Sequence, residues 1–108
     1  MVEMTPKQIF EEMPSRFLPE KAKGVNAVIQ FDITGDDGGQ WYLTVGDGAA
    51  ATAEGVAENP KTTVTMAASD FTDLITGTAN SMQLFMTGKI KLQGDLLIAN
   101  AMLNWFQK

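Results

Sequence analysis

The last stretch of the chain constrains it most. From Leu96 to Phe106 the run LLIANAMLNWF is apolar at every position except Asn100 and Asn104. Asp95, just ahead of it, is a good N-cap, because its carboxylate can accept from the first unpaired backbone N–H groups of a helix. A helix over residues 96–106 is therefore expected. A surface helix of a small domain normally shows one apolar stripe and a wide polar face. One that is apolar almost all round needs cover on nearly every side. The chain's own core, a second protein surface or an apolar ligand could supply that cover.

The residues leading into this helix are densely punctuated. Leu84, Phe85 and Met86 close an apolar helical turn, and Gly88 supplies the left-handed stop such turns favour. Lys89 to Leu92 alternate polar with apolar, as a half-buried strand does, until Gly94 breaks them.

Earlier in the chain, Thr5-Pro6 opens a helix with a hydroxyl cap and a first-position proline. Ile9, Phe10 and Met13 form its apolar face, and Pro14 ends it. Residues 25–34 follow a period of two with Ala27, Ile29, Phe31 and Ile33 on one side. The turn GDDGG (35–39) leads to a second strand carrying Trp41, Leu43 and Val45, and Asp47-Gly48 marks the next turn. A short strand is expected within 49–57, a turn at Asn59-Pro60, and a strand over 62–67 with Val64 and Met66 inward. Ser69-Asp70 then caps a short helix with Phe71, Leu74 and Ile75, stopped by Gly77, and Ser81 starts another helical turn. The order predicts one α+β domain over 1–108: a twisted, mainly antiparallel sheet, its strands joined by hairpins, with helices on one face.

Composition excludes whole classes of chemistry. The chain has no cysteine and no histidine, which removes disulfides, thiol nucleophiles, the commonest general base and imidazole metal ligands. A net charge of −5 argues against a nucleic-acid partner. No apolar run reaches membrane-spanning length and the start is too polar for a signal peptide, so no integral membrane segment and a cytoplasmic location are expected. The glycines of the 35–39 turn lack the Gly-Lys-Ser/Thr of a phosphate loop. Asp32, Asp36, Asp37 and Asp47 do not have the spacing of a calcium loop. Lys89 and Lys91 are read as solvent-facing strand residues. No catalytic residue, metal or cofactor is expected.

The informative signal is an apolar excess. Among seven methionines, Met66, Met82, Met86 and Met102 fall at positions expected to face inward. Flexible thioether side chains either fill irregular core space or re-pack around varied partners.

Taken together, these residues resemble the sterol carrier protein 2 family of lipid-binding domains. The likeness runs from Phe31-x-Ile33 through Trp41-Tyr42-Leu43-Thr44-Val45 and Asp47-Gly48 to Asn59-Pro60 and the strand at 63–66. It continues with Asp70-Phe71, Leu74 and Gly77, and is most specific over LFMTGKIKLQGD (84–95). The resemblance implies a five-stranded sheet with helices enclosing an apolar tunnel. It also implies non-catalytic binding of fatty acids, acyl-CoA thioesters, sterols or related lipids. The sequence departs from the family in lacking a peroxisomal C-terminal tripeptide.

The expected lining is Phe31 and Ile33, Trp41 and Leu43, then Phe71, Leu74 and Ile75, with Met82, Phe85 and Met86 beyond. Leu97, Ile98, Met102 and Phe106 would form the far wall, the terminal helix serving as a lid. The rival reading is an interaction module, pairing this helix with a partner enzyme or with its own copy in a homodimer.

Overall fold

The computed structural model describes residues 5–36, 38–76, 79–102 and 104–106, with the backbone alone at 76, 81 and 100. The expected stop at Gly77, the turn position Asp37 and the helical position Leu103 lie outside the described residues.

Five strands form one sheet: β1 (Ala27–Thr34), β2 (Gly39–Gly46), β3 (Ala49–Glu54), β4 (Thr62–Ala67) and β5 (Ile90–Gly94), in spatial order β3-β2-β1-β4-β5. The first three make an antiparallel meander, and β5 pairs antiparallel with β4. The central pairing differs from the hairpin reading. β4 lies parallel to β1, in register from Ile29↔Thr62 to Thr34↔Ala67. Parallel neighbours need a connection that returns across the sheet, and residues 55–61 provide it. Gln30 gathers that connection: its amide nitrogen donates to the Gly55 carbonyl at 3.1 Å and its amide oxygen accepts from the Ala57 N–H at 2.7 Å. These bonds satisfy Gln30, which is buried on the otherwise polar side of β1.

The other side of the sheet is apolar throughout. Ile29, Phe31 and Ile33, then Trp41, Leu43 and Val45, then Val64, Met66 and Ile90 are all buried there. They form one core with side chains from the helices α1 (Pro6–Glu12), α2 (Ala68–Thr76), α3 (Ser81–Met86) and α4 (Leu96–Met102).

α1 begins as its sequence dictates. Thr5 Oγ1 accepts from the Gln8 N–H while the Gln8 side chain accepts from the Thr5 N–H at 2.9 Å, a capping box with Pro6 at the first helical position. Its end is set by Pro14, which has no N–H to offer the Phe10 carbonyl four residues back. Thr52 Oγ1, on edge strand β3, donates to that carbonyl instead at 2.6 Å. The same contact covers part of an exposed sheet edge.

α2 follows β4 without a break, so Ser69 and Asp70 sit inside its first turn rather than ahead of it. α3 is capped by Asn80, whose side-chain oxygen accepts from the Met82 and Gln83 N–H groups at 2.9 and 3.3 Å. It stops where Gly88 adopts φ +79°.

The terminal helix is shorter than expected. After Met102 the N–H groups of Asn104 and Trp105 donate to carbonyls three residues back, tightening the last turn. Phe106 then runs antiparallel beside Phe17, with the Leu18 N–H donating to the Trp105 carbonyl at 2.6 Å. At the other end, Asp95 caps α4 through the N–H groups of Leu97 and Ile98 at 3.0 and 3.2 Å. That junction is bolted to the start of β4. The Asp95 N–H donates to the Lys61 carbonyl at 2.8 Å, and Thr62 Oγ1 donates to the Asp95 carbonyl at 2.6 Å. Both ends of α4 are therefore fastened.

Candidate functional site

The expected lining separates into a floor and an exposed rim. Phe31, Ile33, Trp41, Leu43, Phe71 and Met102 are buried in the core, and Leu74, Ile98 and Phe106 pack half-buried against it. Ile75, Met82, Phe85, Met86 and Leu97 do not join them and present large apolar surfaces to solvent.

The inward orientation expected for Met82 and Met86 is corrected here. They are 69% and 78% exposed, with Phe85 between them at 50%. The cause is geometric. Residues 82, 85 and 86 share one helical face at i, i+3 and i+4, and α3 is held instead by Leu84, which is buried. Leu97 is also turned outward, 82% exposed, while Ala99 and Met102 fix α4 to the core. The terminal helix is thus apolar all round but covered on one side.

The centre of the floor is aromatic. The Phe10 ring stacks on Trp41 at 4.9 Å and on Phe71 at 5.1 Å, with the edge of Phe31 at 5.1 Å. Phe10 was absent from the expected lining. Its place on the Ile9, Phe10 and Met13 stripe signalled burial, but spacing alone could not say that it reaches the middle of the sheet.

Two open recesses are lined by described residues. One, of about 120 Å³, lies between α1 and the β2–β3 edge, with Lys7, Glu11 and Thr52 around Phe10 and Trp41. The other, of about 410 Å³, lies on α3 between Asn80, Met82, Gln83, Met86 and Thr87. Neither is an elongated hollow between sheet and α4. Lys89 and Lys91 are exposed, as expected. Among the described residues no group of three or more carboxylates is placed to hold a metal ion. No helix among them is long and apolar enough to cross a membrane.

A helix-roofed mixed sheet with one wholly apolar face defines a class of small α+β domain that proteins of known structure share. The model of the SCP-2 sterol transfer family matches residues 7–107, and the chain belongs to that family. Over 106 residues it is 30% identical to an oleate-induced peroxisomal protein of Candida maltosa, covering 94% of this chain and 84% of that one. It is 27% identical over 94 residues to the hydroxysteroid dehydrogenase-like protein 2 of Mus musculus, covering 86% of this chain. There the chain spans only 19% of the relative's length. Among solved structures, the palmitated sterol carrier protein 2 like 2 of Aedes aegypti superposes with a TM-score of 0.79. That match has 26% identity and covers 94% of this chain and 93% of that one.

Proposed function

We propose that the chain binds an apolar lipid (a fatty acid, fatty acyl-CoA, sterol or isoprenoid) without catalysis, and transfers it. The observation that carries this reading is the floor and rim just described. An all-apolar sheet face is roofed by short helices that turn large apolar side chains out to water. A monomer that needed them only for its own core would bury them.

In this reading the ligand lies in an apolar tunnel between the sheet and α4. Phe31, Ile33, Phe71 and Leu74 line one side, Ile98 and Met102 the other, and Ile75, Met82, Phe85, Met86 and Leu97 sit at the mouth. Removing an alkyl chain from water supplies the free energy. At about 0.8 kcal/mol per methylene, roughly fifteen carbons gain on the order of 10 kcal/mol before association costs. Few polar contacts are needed, so selectivity is loose. Cytoplasmic residence is part of the proposal, and cell fractionation tests it against the peroxisome.

The test is titration of delipidated protein with a fluorescent fatty acid, together with mass spectrometry of lipids extracted from freshly purified protein. Saturable one-to-one uptake supports the reading, and its absence with every lipid class tried sinks it. A second reading, an accessory or dimerisation module that positions a partner enzyme, is favoured by the dehydrogenase-like relative, of which this domain matches only a part. It predicts stable association with an enzyme domain, or a dimer, and no lipid uptake.

A further inference from the structure

α3 exposes the face that its sequence would normally bury. Met82, Phe85 and Met86 recur at the spacing of a core-facing stripe, yet they border an open recess whose polar neighbours, Asn80, Gln83 and Thr87, are all uncharged. The charge pattern around them is equally distinct. Between Asp73 and Asp95 the sequence contains no carboxylate, and its only charged side chains are Lys89 and Lys91. Both lysines are exposed, beside or on β5, the edge strand that follows α3. An apolar, cationic island thus interrupts a chain of net charge −5.

We propose that this island, α3 with the start of β5, docks on the surface of an anionic lipid bilayer. Methionine and phenylalanine side chains on a short exposed helix suit the boundary between headgroups and acyl chains, which such faces enter by roughly 5–10 Å. Lysines beside them are drawn to anionic headgroups, and each contributes about a fivefold gain in affinity near the surface.

Size argues against a second copy of the chain as the occupant. The three exposed side chains offer on the order of 400 Å² together, about half of the roughly 800 Å² each partner buries in a standard stable interface. The absence of carboxylates removes the repulsion that anionic headgroups would meet over the rest of this acidic chain. The proposal deepens the lipid-binding reading by naming the surface at which cargo is exchanged, and rests on that reading only for its purpose.

The experiment sediments the intact protein with vesicles of phosphatidylcholine alone, or with about one third phosphatidylserine. Binding on the order of tenfold tighter to the anionic vesicles is expected at about 0.1 M salt, with most of that preference lost at about 0.5 M. The double variant Lys89→Glu, Lys91→Glu should lose the anionic preference yet take up a fluorescent fatty acid in vesicle-free solution as the parent does. The triple variant Met82→Gln, Phe85→Gln, Met86→Gln should lose on the order of tenfold or more of its binding to anionic vesicles. Circular dichroism confirms that each variant is folded.

If the parent ignores vesicles, or all variants sediment equally, docking is overturned while fatty-acid uptake stands. If light scattering instead shows a dimer that Phe85→Gln dissociates, and the vesicles draw nothing down, the face belongs to a second copy and the proposal fails. A parent that docks but takes up no fatty acid keeps the docking surface and removes the carrier reading.

Discussion

Thr52→Val tests how α1 is tied to the sheet. The replacement is nearly isosteric and removes one hydroxyl, the group that donates to the Phe10 carbonyl at 2.6 Å. In an unbroken helix the N–H of residue 14 would serve that carbonyl, but proline offers none. The variant therefore leaves a partly buried acceptor unpaired, at a cost of about 1–3 kcal/mol. Valine's better fit to a strand returns a few tenths. The expected net loss is about 1–2 kcal/mol, or about 4–15 °C in melting temperature for a domain of this size.

Urea unfolding followed by tryptophan emission measures the loss, since Trp41 and Trp105 are both buried. A double-mutant cycle gives the sharper test. Pro14→Ala restores an N–H at position 14, so Thr52→Val should cost less in that background, with a coupling on the order of 0.5–1 kcal/mol. The reasoning is refuted if Thr52→Val costs less than about 0.5 kcal/mol, or costs the same beside Pro14 as beside alanine.

The remaining predictions probe the floor, the terminal junction and the crossover. Phe10→Ala empties the middle of the aromatic stack and should cost about 3–5 kcal/mol in urea unfolding. Gly94→Ala should cost more than about 2 kcal/mol, because φ is +97° there and a Cβ would collide with the backbone carbonyl of Lys61. Asp95→Ala should lose about 1 kcal/mol and Asp95→Asn only a few tenths, since asparagine keeps the cap acceptor for Leu97 and Ile98. Gln30→Leu orphans the Gly55 carbonyl and the Ala57 N–H, costing about 2–4 kcal/mol and speeding amide exchange across 55–61.

How much of this was legible in the sequence depends on what each pattern encodes. Strand alternation assigns faces, so Ile29, Phe31 and Ile33 were placed on the apolar side correctly. It does not say which strand lies alongside, and the parallel β1–β4 neighbour could not be read from it. Local rules that involve only a few consecutive residues were dependable: the Thr5–Gln8 box, the Asp95 cap and the Gly88 stop all stand in the structure. The period of α3 was also read correctly, but its direction was not. Spacing says that Met82, Phe85 and Met86 share a face, and only packing decides that Leu84 is the residue that holds the helix down. Gln30 was assigned to the solvent side because nothing local foretells that residues 55–57 fold over it.

The fastening of α4 has a mechanical consequence. Its far end is spliced to Phe17 and Leu18, a few residues beyond α1, so the first and last helical segments share one seam. Peeling the last turn away unzips that seam and slackens the backbone leading to Phe10. The two ends of the chain therefore behave as coupled leaves hinged at Asp95 and Lys61. Loosening either one should register as faster amide exchange in the other.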